Sequence, residues 1–265
     1  MNEVVKKHVN ELFSTKGKVA LVIGGGGKIG FPMAEALAEA GATVYIGSRN
    51  EITYSKAVND LIQKDLDVEG IFIDISDENS IQATLKKIKN RHGQIDILIN
   101  SSSFRPMKKF MHDSWENWDS SMSTNARGLF LTCKIFGEDM AKNGSGSIIN
   151  ISSIYGLVAP DMSIYEGCDF ETEPDYPFIK GGTIMFSKYL ASYFAKKGVR
   201  VNVICPGGFY NNQDEPFLSN YISKTPLGRM AVHNDMKGAA LFLSSEASSY
   251  ITGSVIPVDG GWTIT

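Results

Sequence analysis

The sequence predicts an α/β fold: a doubly wound, mostly parallel seven-stranded sheet with helices on both faces. Short apolar runs alternate with amphipathic stretches along the 265 residues, the pattern of repeated strand–helix–strand units. The runs are apolar throughout rather than at every second residue, as strands buried on both faces require. A glycine cluster, Gly24 to Gly30, lies between the first apolar run and the first amphipathic stretch, where such folds turn from strand into helix. No internal repeat, low-complexity segment or linker divides the chain, so residues 1–265 read as a single domain.

The elements follow in order. Residues 1–16 read as a short arm or extra helix. Val19 to Ile23 is the first strand, and the alanine-rich stretch from Met33 to Ala40 is a helix that Gly41 ends. Thr43 to Ile46 is the second strand, 51–66 a helix, and Gly70 to Ile73 the third strand. Asp77 suits the N-cap of a helix running through Lys89, and Ile95 to Ile99 is the fourth strand. A long helix spans Ser114 to Lys142, and Gly146 to Ile151 is the fifth strand. A helix starting near Tyr176 leads to the sixth strand, Val199 to Ile204, and Ser254 to Val258 is the last.

Composition narrows the function. A net charge of −3 gives no bulk attraction to nucleic acid or an anionic membrane. No apolar run reaches the roughly 18 residues that span a bilayer, and Met1 to Lys18 lacks a signal-peptide core. Cys133, Cys168 and Cys205 form an odd, widely spaced set with no metal-ligand pattern, and the four histidines pair with nothing at metal spacing. The expectation is a cytoplasmic protein with buried thiols at Cys133 and Cys205 and no metal.

Two features carry chemistry. Strand, glycine turn and helix together make the dinucleotide pyrophosphate site of a Rossmann-type fold, because bare glycines admit the phosphates and the helix N-terminus offers unpaired N–H groups. Tyr176 and Lys180 stand one helical turn apart in Tyr-Pro-Phe-Ile-Lys. A free phenol ionises near pH ~10, and a fixed cation beside it favours the phenolate, fitting it for proton exchange with an alcohol. Tyr193 and Lys197 repeat the spacing near the end of the same helix and read as an amphipathic face with a solvated lysine.

From about residue 16 to 262 the chain resembles the short-chain dehydrogenase/reductase family. The glycine loop 24–30, Asp74, Asn125 in Ser-Thr-Asn-Ala-Arg-Gly and Ser153 in Asn-Ile-Ser-Ser come in family order. Tyr176 and Lys180, Cys-Pro-Gly-Gly at 205–208, and Ile-Thr-Gly through Val-Asp-Gly-Gly at 251–261 follow. The resemblance implies Tyr176 as general acid/base, Ser153 as hydrogen-bond partner of the substrate oxygen, and Lys180 on the nicotinamide ribose. It implies that Asn125 keeps a kinked helix and an ordered water for proton relay. The implied cofactor contacts are Gly24, Gly27, Lys28, Ile29, Gly30, Ser48, Arg49, Asp74, Ile75, Asn100, Ser101, Ser102, Tyr176, Lys180, Pro206 and Gly207.

Departures from the family pattern are informative. Ile23 stands at a usual threonine and Lys28 at the usual second glycine, placing an ammonium beside the phosphates. Ser101-Ser102-Ser103 replace Asn-Ala-Gly. Pro177 fits only a helix's first turn, which fixes Tyr176 near the start. Ser48 occupies the usual aspartate position, with Arg49 next. Arginine forks onto phosphate, so NADP is favoured. The alternative is that Arg49 only stacks on adenine and NAD is used.

An acidic insertion, 157–175, separates Ser153 from Tyr176, and reads either as a surface excursion or subunit contact or as a wall of the substrate pocket. With residues 206–213 it is similar to a subgroup acting on sugar acids or nucleotide-linked sugars, namely gluconate-type dehydrogenases and flagellin-glycan (legionaminate-pathway) oxidoreductases. Residues 208–229 form a substrate lid. Arg105, Lys108 and Lys109 are candidate cations for an acidic substrate, or a solvated loop.

The function expected is interconversion of a secondary alcohol and a ketone on a sugar, sugar acid or nucleotide sugar. A seven-residue Tyr–Lys spacing, usual in enoyl reductases of this fold, would place lysine where Thr183 stands. The other class is a catalytically silent cofactor sensor or scaffold of the same fold. Trp118, Phe130, Phe136, Tyr189 and Phe194 on the long helices suit a homotetramer or homodimer.

Overall fold

In the computed structural model, which describes residues 6–265, seven parallel strands form one sheet in the order β3-β2-β1-β4-β5-β6-β7. The strands are β1 Val19–Ile23, β2 Thr43–Ser48, β3 Val68–Phe72, β4 Ile97–Asn100, β5 Gly146–Ile151, β6 Val199–Pro206 and β7 Val255–Val258. The helices are α1 Val9–Leu12, α2 Gly30–Glu39, α3 Glu51–Ile62, α4 Glu78–His92, α5 Trp115–Ser121, α6 Arg127–Asn143, α7 Asp175–Phe194, α8 Phe217–Ser223 and α9 His233–Ser244. Strand order reverses between β1 and β4, the switch point beside which ligands bind in such sheets.

All five residues of β1 are buried, because helices cover both sides. Leu21, Ile23, Leu98 and Ile148 face one core layer with Ile88, Phe136 and Phe194. Ala20, Val22, Ile99 and Ile149 face the other with Met33, Leu37 and Leu243. Phe136 and Phe194 are therefore core, whereas Phe130 and Tyr189 lie exposed.

Several boundaries differ from the sequence reading, each for a local reason. β3 starts at Val68, because pairing with β2 sets Val44 opposite Val68. β4 is displaced to Ile97–Asn100 by its register with β1, which matches Ala20 to Ile97. α3 stops at Ile62 instead of residue 66: Asp65 turns left-handed (φ 57) and the Leu66 N–H folds back to the Leu61 carbonyl. α4 is capped by Asp77, whose carboxylate accepts from the Asn79 N–H at 2.9 Å, and runs on to Gly93 (φ 83). The long helix exists, but a π-helical turn, Met122–Ala126, interrupts it and joins α5 to α6. Of the N-terminal arm, α1 is a single turn, and residues 1–5 lie outside those described.

One buried ionic cluster ties α2 to its neighbours. Glu35 is 1 % exposed and is held by Lys64 beyond α3 and by Lys237 on α9, the latter at 2.7 Å. Burial alone would raise this carboxyl. Hydrogen bonds from Lys237, Lys64 and His233 outweigh it and bring it down to about 2.

Candidate active site

The sheet's carboxyl edge builds a cleft at the switch point. β1 ends at Ile23, the chain turns left-handed at Gly24 (φ 78), and α2 begins at Gly30. A side-chain carbon at Gly24 would sit 2.7 Å from the Ser102 N–H nitrogen, and one at Gly30 would strike the Gly24 carbonyl. Both positions must be bare for the glycine loop and the loop after β4 to meet. No side chain caps α2, which leaves its N-terminal N–H groups for an anion. Lys28 keeps an ordinary backbone: among the described non-glycine residues only Asp65 and Asn212 have positive φ.

The cleft holds about 480 Å³. It is lined by Gly24, Gly27, Lys28, Ile29 and Gly30 of the glycine loop, by Ser48 and Arg49 at the end of β2, and by Ile75, Ser101 and Ser102. Asp74 stands next to this lining, 3.8 Å from the Arg49 guanidinium. Burial would raise the Asp74 carboxyl, but bonds from the Ser76 hydroxyl and N–H and the charge of Arg49 hold it below the usual carboxylate range. Besides Asp74, five residues expected at the cofactor stand outside this lining: Tyr176 and Lys180, which belong to the second half of the site, and Asn100, Pro206 and Gly207. Asn100 turns inward and donates to the Asn150 side chain at 2.8 Å. Pro206 ends β6 and Gly207 follows it, with the Gly207 N–H spent on the Val258 carbonyl at 3.0 Å. Thr53 and Thr124 also line the cleft; Thr124 lies in the Asn125 motif, beside the residue singled out there, and Thr53 outside any recognisable motif.

The second half of the site lies where β5 meets α7. Pro177 is the third residue of α7, inside the first turn, where its missing N–H breaks no helical bond. Tyr176 therefore stands at the helix start, and Lys180 follows one turn later. The Lys180 ammonium is buried and donates to the Ile151 carbonyl at 3.0 Å, 5.5 Å from the Tyr176 ring centroid. Burial pushes this ammonium below its usual range, Tyr176 opposes the shift, and Arg105 adds to it. The helix is seated by the Ser152 hydroxyl, which donates to the Lys180 carbonyl at 2.7 Å. Gly156 permits that approach, since a side chain there would lie 2.7 Å from the same carbonyl.

Ser153 follows β5, and its hydroxyl oxygen accepts from the Tyr155 N–H at 3.2 Å. The Tyr155 ring meets Tyr176 edge-on, centroids 6.4 Å apart. Asn125 sits in the π turn, where its carboxamide donates to the Phe104 carbonyl at 2.7 Å and accepts from the Phe104 N–H at 2.8 Å. It thereby fixes the loop after β4. A cavity of about 30 Å³ lies among Asn125, Asn100, Ser102, Lys180 and Thr183, enough for one water molecule.

The insertion is tied down on both sides. Tyr165 bonds the Tyr155 hydroxyl at 3.0 Å and packs with Phe170 against Phe217 of α8. Asn220 of α8 donates to the Ile164 and Glu166 carbonyls, each at 3.2 Å. At its other end Glu173 pairs with Arg105, whose guanidinium lies 4.3 Å from the Tyr176 ring centroid. Arg105 is thus tied to the insertion and to Tyr176, although its side chain stays partly exposed. The rival pair resolves differently: Lys197 stacks 4.0 Å over exposed Tyr193, far along α7.

A family model described as Enoyl-(Acyl carrier protein) reductase matches residues 26–263. The 3-oxoacyl-[acyl-carrier-protein] reductase FabG of Chlamydia muridarum is 36% identical over 249 residues, 92% of this chain and 96% of that protein. The chain belongs to the short-chain dehydrogenase/reductase family. It is an NAD(P)-dependent oxidoreductase of that family. Gluconate 5-dehydrogenase of Gluconobacter oxydans is 31% identical, covering 96% of this chain and 98% of that protein. The crystal structure of a gluconate 5-dehydrogenase from Burkholderia cenocepacia in complex with NADP and tartrate superposes with a TM-score of 0.88. It is 28% identical and covers 97% of this chain and all of that one. Among the described residues no helix is long and apolar enough to cross a membrane, and no cluster of His, Cys, Asp or Glu could hold a metal ion.

Proposed function

We propose that this short-chain dehydrogenase/reductase interconverts a secondary alcohol and a ketone on a hydroxyl-rich substrate: a sugar, sugar acid or nucleotide-linked sugar. The observation that carries the reading is Tyr176 at the start of α7, with buried Lys180 one turn behind and Arg105 over its ring. The nicotinamide, when bound, supplies or takes up the hydride. Tyr176 gives its phenolic proton to the carbonyl oxygen in reduction and takes it back in oxidation. Ser153 hydrogen-bonds that oxygen and stabilises its developing charge. Lys180 holds the cofactor's ribose, and the small cavity beside Asn125 gives a water a place in the proton path.

NADP suits the cleft better than NAD. Position 48 carries no carboxylate to repel a 2′-phosphate, and Arg49 is half-exposed, held among the described residues only by a long contact with Asp74, so its guanidinium can fork onto phosphate. The gluconate relatives support a polyhydroxylated substrate. The insertion forms the substrate wall, and residues 208–229, which carry α8, its lid; the start of that segment is tied to the chain just beyond its end, where the Tyr210 N–H bonds the Ala231 carbonyl at 2.8 Å. A second copy covers the aromatic face of α6 and α7 (Phe130, Phe186, Tyr189), giving a homodimer or homotetramer.

The test is nicotinamide absorbance with NADPH and NADH offered separately against keto-sugar acids and simple ketones. NADPH-linked turnover that Tyr176→Phe abolishes supports the reading. Cofactor binding without turnover of any carbonyl compound would favour a silent sensor.

A further inference from the structure

Arg105 is engaged twice. Its guanidinium stacks on Tyr176 at 4.3 Å and donates to the Glu173 carboxylate. The two partners come from opposite sides of the site: Arg105 from the loop after β4, Glu173 from the insertion, three residues before Tyr176. Glu173 is the more buried, its side chain 18% exposed against 45% for Arg105. The nearby cation Lys180 is buried and donates to the Ile151 carbonyl. The charge of Arg105 is thus already met by a carboxylate built into the protein, and Glu171 on the same insertion accepts from the Phe110 N–H at 3.1 Å.

A guanidinium has five N–H donors and a carboxylate about four acceptor sites, so the pair keeps both kinds of group free for a ligand. A substrate hydroxyl can accept from Arg105 and donate to Glu173. A substrate carboxylate can only accept, and it brings a second negative charge beside Glu173, a like-charge contact that disfavours the ionised form.

We propose that the Arg105–Glu173 pair is a specificity element that selects an uncharged, hydroxyl-bearing group of the substrate beside Tyr176 and discriminates against a carboxylate there. It rests on the hydroxyl-rich substrate class proposed above and narrows it.

D-gluconate and D-glucitol differ only in a carboxylate against a hydroxymethyl group. Their dissociation constants from the Tyr176→Phe protein saturated with NADP measure selectivity without turnover. Glucitol binds the tighter of the two, and adding Glu173→Gln shifts the ratio of the constants about tenfold toward gluconate, the scale of one relieved like-charge contact. Adding Arg105→Gln as well removes that shift. A general loosening of the fold weakens both ligands and leaves the ratio in place. Tighter binding of gluconate with Glu173 intact, a ratio insensitive to Glu173→Gln, or binding of neither ligand overturns the proposal. Failure of the oxidoreductase reading has its own signature: no NADPH consumption with Tyr176 intact, whatever the binding ratio.

Discussion

Lys180 sits where a charge is costly. Its ammonium is buried, its one hydrogen bond among the described residues runs to a backbone carbonyl, and burial disfavours its charged form. Removing such a group relieves a desolvation penalty. Lys180→Met should therefore leave the protein at least as stable, while turnover falls about 10²-fold or more, the scale of lost proton-transfer assistance. Thermal melting beside steady-state kinetics checks this; a less stable protein with intact turnover would show that Lys180 serves the fold instead. Arg49 offers a second test at this scale. Arg49→Ala should raise KM for NADPH about tenfold or more and leave that for NADH little changed, because only the 2′-phosphate needs the fork. Equal losses with both cofactors would mean that Arg49 stacks on adenine.

Among the elements, the π turn Met122–Ala126 sets the site's geometry by aiming Asn125 at Phe104. Asn125→Ala deletes two hydrogen bonds to that loop, at about 1 kcal/mol each, and should raise KM for the cofactor as well as lower kcat. A change in kcat alone would confine Asn125 to the proton path. The strands, the glycine turn and the start of α7 were legible in the sequence, because apolar runs, glycines and Pro177 act locally. The position of Asn125 was legible through its motif, but the π turn itself leaves no local signature. Strand and helix ends shifted where register or one left-handed residue, such as Asp65, decided them. Arg105 lies over Tyr176 and pairs with Glu173, 68 positions away, and local pattern is blind to both. The same holds for Tyr155, whose only cue was its place two residues after Ser153.

For the whole molecule, the Glu35 cluster joins α2, which begins at the glycine-loop cleft, to α9, which follows residues 208–229. Its carboxyl lies at about 2 when folded, against an ordinary 4.5. The stability it contributes is therefore full above pH 4.5 and lost as pH falls from there toward 2. Glu35→Gln should flatten acid unfolding across that window and cost about 1–3 kcal/mol at neutral pH; an unchanged acid transition would mean that the cluster adds nothing. The aromatic face of α6 and α7 makes a separate prediction. Tyr189→Glu should lower the mass seen by light scattering if a second copy covers that face, and an unchanged mass would place the interface elsewhere.

The central claim, hydride exchange governed by Tyr176, is tested most directly by following the hydride itself. NADPH carrying deuterium at the transferable C4 position, incubated with a keto-sugar substrate, should deliver one deuterium to the new carbinol carbon, read by mass spectrometry. Tyr176→Phe should bind NADPH and deliver none. NADPH binding by the unaltered protein with no deuterium in any carbonyl substrate would contradict the account.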